Sequence, residues 1–282
     1  MKPRLLVTGA AGFLGGHLIQ QAEKDFTISG TLHRTPATGI PGVTFHVCDL
    51  RQPEEVRILL YRVRPEVIIH TACSERGEGL QAIVPAAALL AMQAAERGIR
   101  FIHLSTDQVF DGETAPYTEN CPTNPINPYG QAKAQAEEVI ASVNSKATVV
   151  RTSLLYDLRI PDRQTKQLIQ TAQTGEPYRL FTDEFRCPVW VENLSEVLLE
   201  LAGKDYAGIL NLGSPERLNR WDLGMKLLTH FGITPTPNIQ QGTIEESGLV
   251  RPKDLTMDST KAQRLLSTTF LRIDDAMEHL SS

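Results

Sequence analysis

The chain has no surplus of positive charge: 28 Lys and Arg stand against 33 Asp and Glu, for a net charge of -5. Neither nucleic acid nor an anionic membrane is therefore an expected partner. It also lacks any run approaching the roughly 20 apolar residues that span a bilayer. Near the start, the apolar Leu5-Leu6-Val7 is too short for the core of a secretory leader, and glycines interrupt it at once. A cytoplasmic protein is expected. Cysteine is sparse and scattered. Cys48, Cys73, Cys121 and Cys187 form no C-x-x-C pair and no compact ligand spacing, so neither a disulfide framework nor a metal site is expected. They read as reduced thiols, with Cys121, in a Pro- and Asn-rich loop, the most accessible. Internal repeats and low-complexity tracts are missing too, which excludes solenoids and disordered linkers.

What remains is an ordinary globular composition, 41% hydrophobic and 22% charged over 282 residues, enough for one large core or a main domain with a smaller one attached. The first half alternates β-rich runs with helical patterns. Strands are expected at 4–7, 27–32, 43–47, 67–70, 100–104 and 148–151, and helices near 13–23, 53–63, 80–97 and 129–143. That alternation predicts an α/β fold, a Rossmann-like doubly wound parallel sheet with right-handed connections. Beyond residue 155 the pattern loosens into helices near 163–173, 193–202 and 219–231, with a strand at 208–212. Residues 1–155 are thus expected to form a dinucleotide-binding domain. Residues 156–282 are expected to form a smaller, mainly substrate-binding region that partly returns to the sheet.

The first strand runs into Gly9-Ala10-Ala11-Gly12-Phe13-Leu14-Gly15, a G-x-x-G-x-x-G loop that opens a helix. Gly9 allows the tight turn, Gly12 lets backbone approach a pyrophosphate, and Gly15 lets helix and strand pack closely. The strand-loop-helix context is what separates this loop from a merely tight turn. A site for NAD places an acid near the end of the second strand to hold the ribose 2'-hydroxyl. Between Asp25 and Asp49 there is no Asp or Glu, and Arg34 is the sole Lys or Arg in that interval. A guanidinium there suits a 2'-phosphate, so NADP is favoured, with NAD left open. Asp49 reads as a partner for the adenine amino group or as a helix cap. The expected cofactor-binding set is Gly9, Gly12, Phe13, Leu14, Gly15, Arg34, Asp49, Leu50, Thr71, Ala72 and Lys133.

Tyr129-Gly130-Gln131-Ala132-Lys133 puts a phenol and an ammonium one helical turn apart on a single face. The ammonium favours the phenolate and so equips the tyrosine to give a proton near neutral pH. Chance alone often produces such a pair. Here it follows the glycine loop by several βα units, and upstream the strand at 100–104 ends in Ser105-Thr106-Asp107, where a sheet of this kind binds ligands. A hydroxyl at that place can polarise a carbonyl, Thr106 before Ser105. Arg186 and Arg251 read either as partners of a substrate diphosphate or as structural ion pairs. Trp190 and Trp221 read as core residues before stacking platforms.

Together these residues resemble the extended short-chain dehydrogenase/reductase superfamily, and within it the dTDP-4-dehydrorhamnose reductases. The likeness rests on Ser105-Thr106-Asp107-Gln108-Val109-Phe110-Asp111-Gly112, Pro116-Tyr117-Thr118-Glu119, Pro125 leading to Tyr129-Gly130, and Lys133-Ala134-Gln135-Ala136-Glu137. Arg151-Thr152-Ser153, Arg186-Cys187-Pro188 and Arg251-Pro252-Lys253 extend it. The resemblance implies a Thr106-Tyr129-Lys133 triad, hydride transfer to a 4-keto group and a nucleotide-sugar substrate bound by Ser105, Thr106, Tyr129 and Arg186. A homodimer is left open. Three departures stand out: His70-Thr71-Ala72-Cys73-Ser74-Glu75-Arg76-Gly77-Glu78-Gly79 replaces a segment with Val-Asp, Leu154 a tryptophan, and Gln108 a usual tyrosine. The sugar pocket is therefore expected to be rebuilt. On the same scaffold, an NAD-dependent sugar-nucleotide epimerase or dehydratase is one alternative. A non-catalytic dinucleotide-binding subunit like that of methionine adenosyltransferase is the other.

Overall fold

The structure is a computed structural model and describes residues 1–33, 40–73 and 78–281. Its first half runs β1 (Arg4–Thr8), α1 (Phe13–Ala22), β2 (Thr27–Leu32), β3 (Val43–Val47), α2 (Pro53–Val63), β4 (Val67–His70), α3 (Glu78–Arg97), β5 (Arg100–Thr106), α4 (Pro128–Val143) and β6 (Thr148–Thr152). Every strand expected here from period and composition is present. β1, β5 and β6 run slightly further than expected, because polar residues continue the ladder at their carboxyl ends: Ser105 pairs with Arg151 and Thr106 with Thr152. The hydroxyl residues of interest thus belong to a strand rather than to a loop.

The second half continues with β7 (Leu155–Tyr156), α5 (Arg163–Thr174), β8 (Tyr178–Phe181), β9 (Phe185–Arg186), β10 (Val189–Trp190) and α6 (Val191–Ala202). There follow β11 (Gly208–Leu212), β12 (Leu218–Asn219), α7 (Arg220–His230), β13 (Ile239–Gly242), α8 (Ile244–Ser247), α9 (Thr260–Leu265) and α10 (Ile273–Ser281). The strand pairs β7–β10, β9–β12 and β8–β13 go beyond the expectation. The two-residue strands of the first two pairs offer no alternation to read.

The central sheet is parallel throughout, in the order β11-β6-β5-β4-β1-β2-β3. The strand order reverses at β1, with β4 on one side and β2 on the other, so the crevice outside their carboxyl ends is where a ligand belongs. Alternation along β1 divides the core. Leu5 and Val7 join Leu18 and Ile19 of α1 and Leu194 and Leu198 of α6. Leu6 faces the other layer, with Leu59 of α2, Leu90 of α3 and Ile140 of α4.

One segment departs from the expected absence of long apolar runs. Within α3, Gly79–Arg97 is long and apolar enough, by length and composition, to cross a membrane, with a mean hydropathy of 1.2. The same helix puts Ile83, Ala87, Leu90, Ala91 and Ala94 into the core beside Ile68 and Phe101 of the sheet, the packing of a core helix.

Candidate active site

At the carboxyl ends of β1 to β4 lies a cleft of about 630 Å³. Its floor is the glycine loop. Gly9 adopts φ +72°, and a Cβ there would lie 2.7 Å from Ala72 Cα. A Cβ on Gly15 would run into the Gly9 carbonyl oxygen, so helix α1 can start this close to β1 only without a side chain. Gly12 stands at the N-cap of α1 with extended backbone and no capping side chain, which leaves the first turn suited to an anion. A loop with glycine at each of these close approaches, beneath a cleft of this volume, fits a dinucleotide. Gly15→Ala is expected to cost about 1–3 kcal/mol through this collision and to weaken dinucleotide binding. Urea unfolding and an NADPH fluorescence titration check it; an unchanged midpoint would mean the loop has room to spare.

Of the expected cofactor residues, Gly9, Gly12, Asp49, Leu50, Thr71 and Ala72 line the cleft. Phe13 is exposed and Leu14 is buried in the core, both in the first turn of α1. Arg34 lies outside the described residues, as do Ser74, Glu75, Arg76 and Gly77 of the departing segment. Asp49 is not the cap of α2, a position held by Gln52. Its carboxylate instead takes the Arg51 guanidinium in two parallel hydrogen bonds, Nε to Oδ1 at 2.9 Å and Nη2 to Oδ2 at 2.7 Å. That pairing holds the Asp49 carboxyl down at about 2. His33 Nε2 lies 3.9 Å from the same carboxylate. Arg51 lies two residues beyond Asp49, outside the interval after the second strand in which a ribose partner is expected. Its place just past β3, which pairs with β2, was the signal available.

The elements that carry the expected catalytic residues converge on the far side of β4. Asn127 caps α4 by accepting from the Gly130 N–H at 2.8 Å, and Pro128 fits the first helical position. Tyr129 therefore sits in the first turn, and Lys133 one turn on, where it is 2% exposed. Lys133 Nζ donates to the Leu104 carbonyl oxygen of β5 and meets His103 Nε2 at 3.1 Å. Burial pushes this ammonium below its ordinary pKa. Cys73, in the cleft wall, points its thiol at the Tyr129 hydroxyl, 3.7 Å away, and so joins the cofactor cleft to the tyrosine. It is Cys73 that is the exposed thiol, not Cys121, whose sulfur accepts the Thr118 N–H at 3.3 Å and packs against the Phe110–Tyr117 cluster.

The two hydroxyls at the end of β5 part company, as neighbours on a strand must. Thr106 caps the short 3-10 turn Asp107–Val109 by accepting from Gln108 N–H, and it donates to Asp107 Oδ1 at 3.2 Å. Ser105 is turned to the opposite face, where its hydroxyl donates to Glu137. Ser105, expected beside the substrate, has its hydroxyl engaged by Glu137 in this structure. Glu137 also takes Arg151 in a buried bidentate pair, Nη2 to Oε2 at 2.7 Å. Asp107 in turn receives Ser153 Oγ at 2.7 Å and Arg186 Nη1 at 3.0 Å. Arg186 further pairs with Glu184 at 3.4 Å, and Arg251 reaches the same carboxylate at 3.1 Å. Both arginines are thus ion-paired in this structure. Trp190 is a core residue, and Trp221 packs against the cluster of α5, β8 and α7.

Residues 3–280 match the family model described as the RmlD substrate binding domain. The chain belongs to this family. With it the chain joins the NAD(P)-dependent oxidoreductases of the extended short-chain dehydrogenase/reductase type. It is 30% identical to the dTDP-4-keto-6-deoxy-D-glucose reductase of Streptomyces niveus over 83% of its length and 81% of the relative's. It is 26% identical to methionine adenosyltransferase 2 subunit beta of Xenopus tropicalis over 93% and 82% of the two chains. Its fold matches that of a dTDP-4-dehydrorhamnose reductase from Bacillus anthracis, solved in complex with NADP, with a TM-score of 0.83, 21% identity and coverage of 100% and 98%. Within the family pattern, the departing Gln108 has a local role: its Oε1 accepts from Asn127 Nδ2 at 3.1 Å, bracing the cap of α4. Leu154 packs partly buried against the core.

Proposed function

We propose that the protein is an NADPH-dependent reductase of a dTDP-linked keto-sugar, with Tyr129 as the proton donor. One observation carries the reading: Tyr129 and the buried Lys133 stand one helical turn apart at the carboxyl end of β5, beside the cleft. The loop from Gly9 to Gly15 and the residues after β2, β3 and β4 would hold the dinucleotide. When bound, it supplies a hydride to the carbonyl carbon. The Tyr129 phenol gives its proton to the carbonyl oxygen, leaving a phenolate that the Lys133 ammonium stabilises and that solvent reprotonates. Thr106 swings its hydroxyl hydrogen from Asp107 to the same oxygen. The product is an alcohol. Arg34, by sequence, with Arg51 and His33 at the strand ends, supports the phosphorylated cofactor, since each can bring positive charge to the adenosine side. Arg186 and Arg251 are the candidates for the substrate diphosphate, once they exchange a carboxylate for it.

The test is a pair of nicotinamide-fluorescence titrations, with NADPH and with NADH, on the wild type and on Arg34→Ala, followed by NADPH oxidation with a dTDP-4-keto-6-deoxy sugar. NADPH is expected to bind more tightly, and Arg34→Ala to lose about 10- to 100-fold of that affinity. Equal affinity for both dinucleotides would sink the NADPH preference; no binding of either would sink the reductase. A second reading has one observation behind it. The likeness to methionine adenosyltransferase 2 subunit beta spans more of the chain than the likeness to the Streptomyces reductase. A dinucleotide-binding subunit of a partner enzyme would bind cofactor, turn over no keto-sugar and co-purify with that partner.

A further inference from the structure

Two histidines lie side by side beneath the catalytic helix. His70 of β4 and His103 of β5 are register partners, their ring centroids 5.1 Å apart, and both are 1% exposed. The sheet does not call for them, since Ile69 and Ile102, the preceding pair in the same register, are plain apolar residues. His70 Nδ1 meets Thr8 Oγ1 at 2.6 Å, at the mouth of the glycine loop. His103 Nε2 meets Lys133 Nζ at 3.1 Å. An ammonium can only donate, so Nε2 accepts and the imidazole proton sits on Nδ1. Among the described residues that buried Nδ1 has no hydrogen-bond partner, an unfavourable arrangement.

The surroundings of Lys133 leave few other groups to hold its charge. Glu137, one turn further along α4, is engaged by Arg151 and Ser105. Cys73, in the loop after β4, and Glu137 act on the ammonium electrostatically, and Tyr129 stands one turn before it on α4. His70, on the far side of His103, is kept neutral by burial, its pKa pressed down to about 3. His103 is held neutral by the same cause. Among the described residues, no other side chain hydrogen-bonds Lys133 Nζ.

We infer that His103 is a positioning residue for Lys133: its Nε2 lone pair and the Leu104 carbonyl oxygen together fix the ammonium beneath Tyr129 and keep it charged. The inference rests on the Tyr129–Lys133 reading above and names the group on which that pair depends. A neutral imidazole suits the task. A carboxylate in its place would compete with the phenolate for the ammonium, and an apolar side chain would leave burial to strip the proton from Lys133. The link from Thr8 through His70 to the His103 ring also ties this support to the strand that carries the dinucleotide loop.

The phenolate absorbance of Tyr129, read during a pH titration with the Tyr129→Phe protein as the subtracted reference, tests this without substrate or turnover. His103→Phe removes the acceptor and is expected to raise the apparent Tyr129 pKa by about one pH unit, a tenfold smaller phenolate fraction at a given pH. His103→Gln keeps an acceptor oxygen and is expected to stay at the wild-type value. Should His103→Phe fail to give the wild-type far-UV spectrum, the smaller His103→Leu carries the same expectation. An unmoved titration in the apolar variant, or an equal shift in His103→Gln, overturns the inference and leaves the Tyr129–Lys133 pair standing. A wild-type Tyr129 that titrates like a free phenol overturns the pair itself, and the inference with it.

Discussion

Replacing Tyr129 by Phe is expected to lower kcat/KM for keto-sugar reduction by about 10²- to 10⁴-fold, the range that a positioned proton donor contributes. The ring stays, and with it the packing of the first turn of α4. What goes is a single hydroxyl beside Cys73. Dinucleotide affinity should hardly move, because the cleft is built from the strand ends at β1 to β4. Steady-state rates with NADPH, set beside a fluorescence titration of the same variant, separate the two quantities. A variant that loses cofactor affinity along with rate would assign Tyr129 to binding. One that keeps its rate would remove it from the chemistry.

The second large effect is on stability. Arg151 and Glu137 have side chains 3% and 6% exposed, joined by a bidentate pair that also receives Ser105. The guanidinium carbon lies 5.0 Å from the Phe110 ring centroid. Glu137→Gln keeps the shape of the side chain but leaves the arginine charge without a counter-ion in a dry place. Breaking such a pair from one side costs about 3–5 kcal/mol. Arg151→Met alone strands the carboxylate and should cost a similar amount, whereas the double variant should recover much of the loss. Urea unfolding of the three proteins measures this directly. A cost in Glu137→Gln below about 1 kcal/mol would place the pair with solvent-screened ones.

Much of the fold was legible because its signals are local. Period-2 runs and helical stretches marked the parallel strands and crossover helices, and the glycine loop announced itself by its place between β1 and α1. The Tyr129–Lys133 pair was legible for the same reason, being four residues apart on one helix. What escaped the sequence depends on contacts across the sheet. His103 belongs to the site because β5 passes beneath α4, more than twenty residues away along the chain. Arg51 belongs to the cleft because β3 runs beside β2. The roles of Ser105 and Thr106 could have been told apart by strand alternation, had β5 been carried through to Thr106 rather than stopped at Leu104. The pairing of Arg186 with Asp107 could not, since nothing local brings residues of β9 to the end of β5.

Asp107 has a consequence for how such an enzyme can change its substrate. The residue next to it, Thr106, is proposed to meet the reacting carbonyl, while its own carboxylate is gripped by Ser153, just after β6, and by Arg186 of β9. On that proposal, chemistry and recognition are not interchangeable modules joined by a passive hinge. Under the proposed roles, a region after residue 155 borrowed from a relative keeps Thr106 aligned only if it brings a guanidinium to the same carboxylate. Divergence of specificity in this architecture is steered toward the loops and strand ends that leave this knot alone.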